Sequence, residues 1–200
     1  MCLYPEAVQR ARDAFALTHS SRDGSPDPRS ECLNAALSLL LVGGSLWVFP
    51  TLPARVPRHF GLGGTADAYW DATLLHWMAL PAIAIVVVGG LYGAAWWVGT
   101  RPAAVSMPDQ QRYDALRPAD QRLIAGHVQT FLYGTATATL VLFVVAQGST
   151  YHVARSATNT LPGVGWALTL GIPVVLTIAT GALAWWLPRR VRRLAGDRGP

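Results

Sequence analysis

The sequence predicts an all-α fold: a four-helix transmembrane bundle with a short extracytoplasmic hairpin loop between helices one and two. Three observations predict it. The chain is 52% hydrophobic and only 14% charged, with mean hydropathy +0.29. Four apolar stretches, at about 33–52, 74–98, 123–146 and 162–187, each reach the ~20 residues that cross a ~30 Å hydrocarbon core at ~1.5 Å per residue. Charged side chains stay at their extreme ends, as expected when one at mid-membrane costs about 2.5–3.5 kcal/mol.

Residues 1–32 form an N-terminal arm. It mixes acids and arginines with Gly24, Pro26 and Pro28, so Ala7–Leu17 reads as a short helix and Arg22–Ser30 as loop. Span one ends at Leu52-Pro53 and reads as a retained helix, because Pro53 stands where a cleavable signal would need small residues. Pro57 holds the residue before it extended, and Gly61, Gly63 and Gly64 permit a tight reversal with positive φ. Asp71 reads as the N-cap of span two.

Spans two and three are joined by Arg101–Arg122, where Ser106 is a cap candidate ahead of Pro108. Tyr113 and Leu116 would share one face of a short helix lying on the membrane surface, or belong to a solvated basic loop. Small residues should mediate helix packing, which points to Gly89 with Gly93 in span two and Gly134 with Ala138 in span three. Pro81 and Pro173 interrupt spans two and four and free backbone carbonyls. Asn34, His127 and Gln129 are the polar residues within the spans and suit interhelical hydrogen bonds. Residues 188–200 form a basic tail.

The sixteen basic residues are all Arg. Thirteen lie in the arm, the middle connection and the tail, against three, Arg55, Arg58 and Arg155, in the other two connections. The positive-inside rule then puts both termini in the cytoplasm and the segment after span one outside. Placement of this kind explains the net charge of +5 and pI near 9.8 without nucleic-acid binding. The eight Trp divide into an inner group (Trp96, Trp97, Trp185, Trp186) and an outer group (Trp47, Trp70, Trp77, Trp166), which suits two interfacial belts. Cys2 and Cys32 fall on the reducing side and have no Cys-x-x-Cys spacing, so neither a disulfide nor a metal site is expected.

The most specific local pattern runs from Leu52 to Trp70. It has Leu-Pro at 52–53, Pro57, His59 followed by Phe60, Gly64 five residues after the His, and Asp67 three further on. This resembles the domain of unknown function 1648, which forms the N-terminal part of the SdpI-type bacterial membrane immunity proteins. That family often has Asn after the aromatic, where this chain has Gly61. The resemblance covers roughly residues 35–90. It implies that Pro53, Pro57, His59, Phe60, Gly64 and Asp67 are the motif and ligand-binding candidates. It also implies a non-enzymatic plasma-membrane protein that recognises a peptide toxin or envelope ligand outside, with a protein partner inside. The alternative reading is a small transporter or an accessory subunit of a membrane complex.

Catalysis is not expected. His59, Asp67, His76 and His152 have the donor chemistry for a divalent cation but no fixed ligand spacing, and His59 with Asp67 has no G-x-S-x-G nucleophile beside it. No cofactor is expected. The lipid bilayer is the partner that composition itself requires.

Overall fold

The computed structural model describes residues 28–61, 63–156 and 159–196. In chain order it contains α1 (Pro28–Val48), a 3-10 turn (Phe49–Thr51), β1 (Arg55–Phe60), β2 (Ala66–Asp71) and α2 (Leu74–Thr100). A second 3-10 turn (Pro102–Ala104), α3 (Gln110–Asp114), α4 (Pro118–Arg155) and α5 (Gly163–Gly196) follow. The proposed Ala7–Leu17 helix and Cys2 lie outside the described residues.

The four-helix expectation holds: α1, α2, α4 and α5 are each long and apolar enough to cross a membrane. The segment expected as a loop between α1 and α2 is an antiparallel β-hairpin. Pro28 opens α1 at a position where a missing N–H costs nothing, so the helix begins ahead of residue 33. The 38 residues of α4 extend about 57 Å, nearly twice the hydrocarbon thickness, so the helix runs well past both ends of the apolar stretch 123–146.

α4 is the centre of the bundle and packs against α1, α2 and α5. The buried residues of α2 are Trp77, Pro81, Ala84, Val88, Ala95 and Val98, spaced by threes, fours and sevens as a helix seam requires. Leu41, Ala84, Val88, Ala136 and Leu140 form the mid-bundle core of α1, α2 and α4. A second core, at the end away from the hairpin, joins Val98, Tyr113, Leu116, Ile124, Leu187 and Val191.

That second core corrects the surface-helix reading of Tyr113 and Leu116. Both are buried, and the Tyr113 hydroxyl donates to the Pro102 carbonyl at 2.5 Å. The connection folds under the bundle because its apolar residues find side chains there. Ser106 is not the cap either. Pro108 keeps the preceding backbone extended, so the helix starts after it, and Asp109 accepts from the Arg112 N–H at 3.3 Å.

Two further expectations are corrected. Gly89, Gly93 and Gly134 have open space where a Cβ would stand, so they do not mediate packing within the chain. The close approaches are at Gly99 against Gln129 and at Gly165 against Ser149. Trp77 does not belong to an interfacial belt: it is 3% exposed, and its indole N–H donates to the Ser45 carbonyl at 2.8 Å. Among the polar residues, Asn34 donates to the Tyr92 hydroxyl at 2.8 Å and Gln129 to the Ala95 carbonyl at 3.0 Å, both between helices. His127 instead donates to Leu123 in its own helix at 2.7 Å and places its ring 5.1 Å from Trp186.

Candidate functional site

The motif residues build the hairpin. After the 3-10 turn, Leu52 and Pro53 leave α1, and β1 pairs with β2 from Arg55 opposite Asp71 to Phe60 opposite Ala66. The ladder is irregular on either side of His59. Arg58 is an extra residue on β1 between Pro57 and His59, and Asp67 is an extra residue on β2 between Ala66 and Ala68. Bulges re-aim side chains in this way. The offset brings His59 Nδ1 to 2.6 Å from Asp67 Oδ1. Because a carboxylate only accepts, Nδ1 carries the proton and Nε2 is the second functional nitrogen of the ring.

The turn explains the glycines. Gly64 has φ 74°, and the Gly64 N–H donates to the Gly61 carbonyl at 2.8 Å while Gly61 N–H donates to Thr65 at 2.9 Å. Positive φ favours a residue without Cβ. Gly64 also accepts from the Leu161 N–H at 2.8 Å, and Ala66 donates to the Asn159 carbonyl at 2.7 Å. Residues 159–161, between α4 and α5, thus fasten to the turn through an isolated Thr65–Thr160 bridge. An isolated Asn-Thr-Leu has no periodicity that would mark this contact in the sequence.

The base of the ribbon is buried at Val56 and Pro57, and β1 packs on α4. Pro57 suits this place because a two-stranded ribbon leaves half its N–H groups unpaired. Toward the turn the ribbon carries His59 and Asp67, whose side chains are 67% and 52% exposed. His76 does not join them. Its Nδ1–H donates to the Asp71 carbonyl at 2.9 Å and its ring stacks on Trp70 with centroids 4.9 Å apart. Among the described residues, no three His, Cys, Asp or Glu side chains converge. Asp71 ends the strand instead of capping α2. Thr73 is the cap, and its side chain accepts from the His76 N–H at 3.2 Å.

Residues 36–85 match the model of the family Domain of unknown function (DUF1648). The DUF1648 segment is the unit just described: most of α1, the hairpin and the first turns of α2. Neither the comparison with curated proteins nor that with solved structures gives a match. Within the segment each motif position has a physical role. Pro53 follows the turn that ends α1, and Pro57 packs inward. His59 and Asp67 pair across the bulges, and Gly64 supplies the left-handed backbone. Phe60 faces a cavity beneath the hairpin.

Sequence reasoning missed Arg58, whose guanidinium lies 5.7 Å from the Trp70 ring centre, and Gln147, which donates to the Trp77 carbonyl at 3.2 Å. The apolar stretch 123–146 ends one residue before Gln147, so in the sequence the amide reads as outside the span.

Proposed function

We propose that this chain is a non-enzymatic, multi-pass protein of the bacterial plasma membrane whose hairpin recognises a peptide or envelope ligand outside the cell, in the manner of the SdpI-type immunity proteins. The observation that carries the reading is the His59–Asp67 pair. It is held on a ribbon whose first strand packs on α4, yet it is exposed and leaves imidazole Nε2 as a second functional nitrogen. Exposed ion pairs add only about 0–1 kcal/mol to stability, so the arrangement suits contact with a ligand better than it suits holding the fold. The match of residues 36–85 to DUF1648 supports taking helix, hairpin and helix as one functional unit.

The Arg asymmetry supports an outward hairpin, with Arg189, Arg190, Arg192 and Arg193 left inside for a protein partner or anionic lipid. Reporter fusions after Pro57 and Arg155 are expected to read outside, and fusions after Arg112 and Arg193 inside. A cytoplasmic signal from the Pro57 fusion would reverse the orientation. For the function itself, a deletion strain is complemented with wild type or His59→Ala and challenged with a panel of secreted peptide toxins. Protection by wild type and not by the variant is expected. Equal survival of the deletion strain throughout the panel removes the immunity reading.

A further inference from the structure

Beneath the hairpin lies a cavity of about 260 Å³. Its roof is at Val56, Phe60 and Trp70, its floor at Ala146, Gln147, Ser149 and Thr150 of α4, and its walls at Leu80 of α2 and Thr169 of α5, with Ala79 and Ile83 beside Leu80. α4 packs against both α2 and α5, but α2 and α5 are scarcely in contact with each other. Gly165, Leu187 and Val191 of α5 are buried, whereas no residue in 167–186 is. Between its two ends the helix is at most half-buried. The cavity is thus a crevice over α4, between α2 and α5 at the hairpin end of the bundle.

Charge and size narrow the occupant. Arg58 and His76 are the ionisable side chains lining the cavity, and no acid lines it. Arg58 lies over Trp70 and has no carboxylate partner among the described residues, so it is a cation at the mouth of an apolar slot. About 260 Å³ is slightly below the ~300–1,000 Å³ of drug-sized sites, and a helix ~10 Å across does not fit. A single alkyl chain does.

We propose that this crevice seats one acyl chain of an anionic membrane lipid, with the lipid phosphate against Arg58. The seat goes beyond the recognition reading and does not depend on it. A chain lying there fills the gap under the hairpin, and the phosphate gives Arg58 its missing counter-charge at the membrane interface. Lipid anchored at that point steadies the hairpin from below without touching His59 or Asp67.

The test uses the full chain in nanodiscs holding equal phosphatidylglycerol and phosphatidylcholine. Retained lipid is counted by native mass spectrometry, and phosphatidylglycerol with a diazirine in its tail maps the contact. Preferential retention of phosphatidylglycerol is expected, with labelling concentrated in residues 79–83 and 146–150. Arg58→Gln is expected to lower the preference about five-fold, the effect of one basic residue near an anionic surface. Ala79→Phe is expected to remove labelling in the crevice. Ile83→Trp, at an exposed position on the same wall, gives the same readout if Ala79→Phe does not fold. Equal retention of both lipids, or label spread evenly over the apolar faces, overturns the proposal. So does protection of Arg58 from guanidine-directed modification by inorganic phosphate alone, which would mark a free-anion site. Displacement of the label by an apolar peptide, with no lipid preference, would assign the crevice to a peptide instead.

Discussion

Gln147 of α4 stands in for the hydrogen-bond donor that Pro81 cannot supply in α2. Proline at position 81 has no N–H, so the Trp77 carbonyl one turn earlier loses its helical partner, and Gln147 Nε2 donates to it from 3.2 Å. In hydrocarbon an orphaned carbonyl has no water to turn to. Gln147→Leu is therefore expected to destabilise the bundle by about 1–3 kcal/mol. Pro81→Ala restores the helical N–H, so the same Gln147→Leu change should cost markedly less in that background. A double-mutant cycle on denaturation midpoints in detergent measures the coupling. Strict additivity would mean that Gln147 does not serve the freed carbonyl.

Glycine is needed at position 99 and not at 89 or 93. Gln129 is held against the Ala95 carbonyl, and Gly99, one turn along the same helix, is the residue whose missing side chain leaves room for that amide. A Cβ at position 99 would displace Gln129 and leave a buried amide without its partner. Gly99→Ala should cost about 1–3 kcal/mol. Gly89→Leu and Gly93→Leu should leave the monomer's stability nearly unchanged, since both positions are open. The three variants compared by thermal unfolding decide the point, and marked loss at Gly89 or Gly93 would reveal packing against a second chain.

These two cases mark how far the sequence could be read. Spans were legible because a hydrocarbon solvent demands long apolar runs, and the freed carbonyl at Pro81 followed from proline chemistry alone. Which donor would answer it was not legible, because that depends on how α4 is rotated against α2. The G-x-x-x-G spacing misled for the same reason: it marks a smooth face without saying what meets it. At the hairpin, the chemistry of His59 and Asp67 could be picked out. Their pairing rests on two bulges, which leave no local pattern.

Alkaline pH probes the buried connection. Burial pushes the Tyr113 phenol above its ordinary value of about 10, and the neighbouring Asp114 carboxylate adds to the effect. The folded chain thus keeps a proton that the unfolded chain releases near pH 10. The stability this contributes is complete below that pH and declines as pH rises through the folded value. Tyr113→Phe should cost about 1 kcal/mol at neutral pH, through loss of the bond to Pro102, and should flatten the decline above pH 10. An unchanged alkaline limb would show that Tyr113 does not govern it.

The hairpin separates a recognition element from a structural lid. His59→Ala and Asp67→Ala remove an exposed pair, so each should change stability by less than about 1 kcal/mol and leave membrane abundance near wild type. If the pair contacts a ligand, protection or capture normalised to protein level should fall at least about ten-fold in both. Gly64→Ala is the contrasting variant. It forces a Cβ into left-handed backbone at a cost of about 1–2 kcal/mol and strains the turn that carries the Leu161 bond, so its loss of function should follow its loss of protein. Gly61→Ala meets Asp67 Oδ2 only at ordinary contact distance and should be tolerated in both respects. Should His59→Ala and Asp67→Ala instead lose function in strict proportion to abundance, as Gly64→Ala does, the pair would be a fastening within the hairpin. The ligand-contacting surface would then have to be sought elsewhere on the bundle.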